Sequence, residues 1–202
     1  MHAGPQGRPH WEAREDASRQ VLVALYLRDA LGARDPSGLP PLLGTGLPEV
    51  PPADDRTTYW WMRWWISVVE PEARGWGVPL QEVDDDGLVV LPREGADDYI
   101  AAIRRHLDDA RTWADVAHQA HNETAMSRML GGSDFALAEL VRENEAALRR
   151  ASRPFRLRIE VLPLAASGIW WIGDDAIAVD ETTRDEPILY RDALTPVVAQ
   201  LV

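Results

Sequence analysis

Residues 57–70 read T-T-Y-W-W-M-R-W-W-I-S-V-V-E, and this stretch holds four of the nine tryptophans in the chain. Each aromatic side chain removes roughly 150–250 Å² from water when it is buried. No other stretch of this length can bury as much apolar area. We therefore predict that the rest of the chain packs around it.

The residues of this stretch leave its secondary structure open. Thr, Tyr, Trp, Ile and Val all favour strands. In a helix, Asp54 or Asp55 would cap the start and Pro71 would mark the end. The polar residues would then form one narrow stripe on an otherwise apolar helix: Tyr59, Arg63, Ser67 and Glu70. That stripe favours the helix.

The same stripe is the first candidate binding site. An isolated buried charge is costly, so Arg63 must pair with a carboxylate such as Glu70 or line a cleft open to water. An aromatic-walled cleft with an arginine at its base suits an anionic or planar small ligand. The candidate ligand-binding residues are Tyr59, Arg63, Trp64, Ser67 and Glu70, although an internal ion pair is the favoured interpretation of the stripe.

Two histidines form the candidate metal site. His118 and His121 are three residues apart in a helical pattern, so both rings can approach one ion, with Glu123, Asp115 or Glu82 as an oxygen ligand. Zinc or another divalent metal is the cofactor that this set indicates. The H-E-x-x-H spacing is absent, so packed or surface histidines with no cofactor are the favoured interpretation, and the metal site is the alternative.

The composition excludes several classes of chemistry. The chain has no Cys, and all 21 basic residues are Arg. Thiolate nucleophiles, Cys-ligated metals, a P-loop lysine and a Schiff-base lysine are therefore excluded. Arginine without lysine indicates a GC-rich, bacterial genome.

The charge and hydropathy indicate the partners and the compartment. A net charge of −12 repels nucleic acid and favours a basic protein or a cationic small molecule. No apolar run is long enough to span a membrane, and the N-terminus lacks the pattern of a signal peptide. We expect a cytoplasmic protein.

The periodicity along the chain predicts an α+β fold in one domain, residues 1–202. Helices are predicted at 12–31, 96–130, 135–151 and 192–201, with Asn122 as a candidate break. A proline-rich strap occupies about residues 35–53, and a central β-hairpin occupies 78–91. Strands at 155–162, 169–172 and 176–179 are predicted to form a three-stranded antiparallel meander, in a single layer of sheet packed on helices.

The absence of catalytic motifs favours a non-catalytic protein that binds another protein or a small ligand. An accessory or immunity-type role fits, as does one half of a homodimer. The alternative is a small hydrolase, with or without a metal, that uses His118, His121 and carboxylates. A binding protein should expose an apolar patch, for which Trp76 and Trp170–Trp171 are the candidates.

Overall fold

The structure is a computed structural model that describes residues 11–35, 37–70, 80–82, 88–92, 96–131 and 136–202. Its described residues form an α+β fold that is mainly helical, as predicted. The strands are β1 (Trp11–Asp16), β2 (Leu80–Glu82), β3 (Val90–Pro92), β4 (Phe155–Leu162), β5 (Ile169–Gly173) and β6 (Ala176–Asp180). The helices are α1 (Arg19–Leu31), α2 (Asp55–Val69), α3 (Asp97–Gly131), α4 (Ala136–Leu148), α5 (Glu181–Asp185) and α6 (Pro187–Leu201).

The main sheet is mixed, and the predicted antiparallel meander is wrong. Its four strands have the order β1-β4-β6-β5. β4 pairs in parallel with both β1 and β6, and only β5 runs antiparallel to its neighbour. The three C-terminal strands lie where the pattern predicted them, but a local pattern does not determine which strands pair.

The main sheet is a single layer, and helices cover both of its faces. Leu157, Ile159 and Val161 of β4 pack in a core with α4 and α6. Leu162 and the alanines of β6 face a second core, formed with α1, α2 and α3. Both faces of β6 are buried because each lies against helices.

β1 was predicted as the first part of a helix. Residues 12–17 contain Ala and charged residues at a spacing that a helix also fits, and they run directly into α1. The structure divides the segment: β1 lies in register with β4, from Trp11–Phe155 to Asp16–Glu160. Ser18 then caps α1 by accepting a hydrogen bond from the Val21 amide.

The tryptophan-rich stretch is helix α2. Asp54 caps it by accepting from the Thr57 amide at 2.7 Å. Trp61 and Trp64 are fully buried, and the Trp61 indole N–H donates to the Ala24 carbonyl at 2.8 Å. Trp61 also stacks on Trp65, with ring centroids 5.5 Å apart. This stretch therefore packs directly on the buried face of α1.

The remaining helices and the hairpin agree with the sequence at the level of elements. α3 is one helix of 35 residues, because Asn122 does not interrupt it. β2 and β3 form the predicted antiparallel hairpin, whose turn at 83–87 lies outside the described residues. α6 begins earlier than predicted and contains Pro196. No helix in the described ranges is both long and apolar enough to cross a bilayer.

The proline-rich strap is held on the molecule by a buried arginine. Arg28 is 3% exposed, and its guanidinium donates to the carbonyls of Leu39 at 3.0 Å and Pro40 at 2.7 Å. The same group forms ion pairs with Asp29 and Asp35. The charge of Arg28 is therefore neutralised inside the fold while its donors fix the path of the strap.

Candidate functional site

The predicted ligand-binding stripe is divided between the surface and the interior. Arg63 donates to the Tyr59 hydroxyl at 3.2 Å, and Tyr59 is 47% exposed. Ser67 is buried, where its hydroxyl donates to the Trp64 carbonyl at 2.7 Å. Glu70 lies at the C-terminal cap of α2 and is partly buried. The structure thus brings Tyr59 and Arg63 together, while Ser67 and Trp64 belong to the core.

His118 is oriented by two hydrogen bonds. Its Nδ1 lies 2.8 Å from the Ala17 carbonyl, which can only accept, so Nδ1 carries the hydrogen. Nε2 then accepts from the Asn122 amide at 3.0 Å. Asp16 lies 4.0 Å from Nδ1. These contacts occupy both of its nitrogens.

His121 is buried beside charged groups. It is only 5% exposed. Burial lowers the pKa of His121, and Arg128 and His118 add to that effect, whereas Glu15 and Asp16 oppose it. His121 is thereby held neutral in the fold.

Glu123 lies outside this pair. It accepts from Gln119 at 3.0 Å on the exposed side of α3. In the described residues, no three His, Asp or Glu side chains are placed to hold one metal ion. His118 and Glu123 thus have protein partners here, and the metal itself stays a prediction.

The histidines belong to a larger charged cluster at the carboxyl ends of the parallel strands. Glu15 of β1 accepts from Arg184 at 2.7 Å and from Arg128 at 3.1 Å. The Tyr190 hydroxyl lies 3.4 Å from the same carboxylate. Arg128 also pairs with Asp185 at 2.6 Å, and so ties α3 to α5. Glu15 is therefore neutralised by residues from α3 and α5.

A second carboxylate of this edge is almost completely enclosed. Glu160 is 2% exposed and is the register partner of Asp16. Its Oε2 accepts from the Ser18 amide at 2.8 Å, at the start of α1. Burial raises the pKa of Glu160 to about 7, although the Ser18 bond and Arg158 act in the other direction.

Asp180 completes the edge and has a capping role. One carboxylate oxygen accepts from the Thr183 amide at 3.0 Å at the start of α5. The other accepts from the Gly168 amide at 2.6 Å, just before β5. Asp180 therefore fixes two chain reversals.

The chemistry of the cluster follows from these contacts. Open α/β sheets bind ligands outside the carboxyl ends of their parallel strands. Here Glu15 and Asp180 are each engaged by guanidinium or backbone donors, and Glu160 and His121 are enclosed. The cluster holds together α1, α3, α5 and three strands. Its contacts are those of an ion network that supports the fold.

The sequence contained a weak signal for this cluster. Glu160 stands inside the apolar run of β4, and a carboxylate there is unusual. Glu15 and Asp16 gave no signal, since they looked like the exposed face of a helix. Only the parallel pairing of β1 with β4 brings them to Glu160.

The surface of the described residues carries a group of exposed apolar side chains. Arg128 and Asp185 join the last turns of α3 to the end of α5, just before α6. Five apolar residues of these two segments are more than half exposed, and we call them the α3–α6 patch: Met126, Met129, Leu130, Ile188 and Leu189. Trp170 and Trp171, two of the candidate contact residues, are partly buried and pack against the two cores, and Trp76 lies outside the described residues.

Comparison with known proteins gives no relative: no family model, no curated protein and no solved structure matches the chain.

Proposed function

We propose that the protein is a non-catalytic binding protein, and that its partner is a protein with a basic surface that docks on the α3–α6 patch. The single observation that carries this proposal is the exposure of the patch. Met129 is 65%, Leu130 82% and Ile188 76% exposed. Neighbouring apolar residues that remain exposed commonly mark a protein-binding surface.

The residue types of the patch suit protein recognition. Methionine is flexible and polarisable, and it is common on surfaces that adapt to a partner. Half of the four methionines in the chain lie here, at 126 and 129. A helical surface of this kind can present its apolar side chains to a groove or to another helix.

The charge around the patch favours a basic partner. Glu123, Asp185, Glu186 and Asp192 are exposed on the same segments of the chain. The whole protein carries a net charge of −12. A partner with lysines and arginines around an apolar centre would be steered to this surface and complement its rim.

The test is a comparison of three forms of the full chain. Leu130→Asp and Ile188→Asp, made together, place two charges in the patch. Leu43→Asp is the matched control, because Leu43 is 54% exposed on the strap. All three positions are open to water, so circular dichroism should show the wild-type fold in each variant.

Each form is used to capture proteins from a lysate of the native host, and the captured protein is then purified and titrated by calorimetry. We expect at least a tenfold weaker dissociation constant for the patch variant, an unchanged constant for Leu43→Asp, and weaker binding at higher salt. Equal binding by all three forms, or no partner that binds the wild-type chain after purification, would overturn the proposal.

A further inference from the structure

β1 lies at an edge of the main sheet. The strand order β1-β4-β6-β5 places β4 on its inner side. Among the described residues, no strand pairs with its outer side. An open strand edge presents backbone donors and acceptors that can pair with another strand.

Both faces of the molecule beside β1 are concave. On one face, a cavity of about 440 Å³ lies between Trp11, Ala13, Glu15 and the first turn of α4. On the other face, a cavity of about 370 Å³ is lined by Glu12, Arg14 and residues of β4. Successive side chains of an added strand point to opposite faces of the sheet. Both cavities border side chains of β1, one on each face of the sheet.

The side chains of β1 are complementary to a second copy of the same strand. Glu12 and Arg14 have opposite charges, point to one face and are both exposed. In an antiparallel pair with Ala13 opposite Ala13, each Glu12 faces the Arg14 of the other copy. A pair centred on Glu12 or on Arg14 would instead place like charges opposite each other, so of these three registers only the one centred on Ala13 pairs opposite charges.

We propose that two copies of this chain pair β1 to β1 in this antiparallel register, and so join two four-stranded sheets into one. Antiparallel pairing of one strand with itself is the arrangement that a two-fold axis produces. The small side chain of Ala13 lies on that axis. Trp11 is then opposite Glu15 of the other copy, on the side of the larger cavity.

The net charge of each copy does not prevent this contact. At physiological salt, exposed charges farther apart than about 8 Å are largely screened. The association is therefore governed by the charges that meet at the strand, Glu12 and Arg14, which attract each other. A contact built on a strand of six residues is small. The dimer should accordingly form as the protein concentration rises.

The first test is sedimentation velocity of the full chain over a range of concentrations. Arg14→Glu should abolish the dimer, because the new carboxylate at position 14 of each copy would lie opposite Glu12 of the other. Glu12→Arg should do the same by placing like positive charges together. The double variant, with both changes, restores opposite charges and should restore the dimer. A wild-type chain that stays monomeric, or single variants that dimerise as the wild type does, would overturn the proposal.

The second test locates the contact. The chain has no Cys, so Ala13→Cys introduces a single thiol. Opposed residues of an antiparallel pair have Cα atoms about 4.5–5.5 Å apart, within the range of a disulfide. Under mild oxidation with glutathione disulfide, Ala13→Cys should give a covalent dimer. The control is Ser167→Cys, on an exposed loop, which should stay monomeric. Equal crosslinking of the two variants, or none at position 13, would contradict the register.

Discussion

Replacement of Glu160 by glutamine should make the protein more stable, and the gain should depend on pH. Glu160 is enclosed beside Asp16, and its pKa is raised from the ordinary 4.5 to about 7, mainly by burial. Between pH 4.5 and about 7, the Glu160 carboxyl is therefore protonated in the folded protein and ionised in the unfolded chain. This contribution to stability is fully present below pH 4.5 and is lost as the pH rises through about 7.

The magnitude follows from the difference between the two pKa values. Each unit of pKa difference corresponds to about 1.4 kcal/mol. The pKa of Glu160 is 4.5 in the unfolded chain and about 7 in the fold. Above pH 7, the ionised carboxylate therefore lowers the free energy of unfolding by about 3 kcal/mol. Glutamine has the same shape and no charge, and its carbonyl can still accept from the Ser18 amide. Glu160→Gln should thus gain about 3 kcal/mol at pH 8 and almost nothing at pH 4.5.

The measurement is urea unfolding followed by tryptophan fluorescence at several pH values between 4.5 and 8. Glu49→Gln is the control, because Glu49 is exposed on the strap; it should change the free energy of unfolding by less than about 0.5 kcal/mol at every pH. If the difference in free energy of unfolding between Glu160→Gln and the wild type is the same at pH 4.5 and pH 8, burial does not raise the pKa of Glu160.

Two further predictions concern buried charge. Arg28→Met should lower the free energy of unfolding by about 3–5 kcal/mol, because it leaves the carboxylates of Asp29 and Asp35 without their cation; urea unfolding measures this, and an effect as small as that of exposed Arg34→Met would contradict it. The pKa of His121 is lowered in the fold, so the wild type should lose stability as the pH falls below 6.5. His121→Gln should not show this loss. A pH profile unchanged by His121→Gln would show that His121 titrates equally in both states.

The elements that the sequence predicted well are those with a strong local signal. The apolar stripe of α3, the alternation in β4 and the caps of α2 are properties of neighbouring residues. β1 was missed because six residues of mixed polarity fit a helix and a strand equally well. The choice is made by β4, which lies more than a hundred residues away and contributes the parallel partner. The same missing strand led to the wrong sheet.

The candidate site shows the same limit. The sequence placed His118 and His121 on one helix face, and in the structure His118 meets Ala17 beside β1 while His121 is buried one turn further along α3. Their neighbours Glu15 and Asp16 were missed because β1 was predicted as part of a helix. The α3–α6 patch was also not predicted, because an apolar residue on a helix looks the same in a sequence whether it is covered or open. Only the packing of the completed fold leaves Leu130 and Ile188 outside.

Glu160 and His121 have opposite effects on the stability of the fold as the pH changes. When the pH falls from 7 towards 4.5, Glu160 takes up its proton in the fold before the unfolded chain does, and stability rises. Over the acid side of the same range, His121 resists a proton that the unfolded chain accepts, and stability falls. Asp16 connects the two groups, since its negative charge raises the pKa of both. Because the two effects have opposite signs, the free energy of unfolding varies less with pH than it would with either group alone. This suits an ion network that holds α1, α3 and the sheet together.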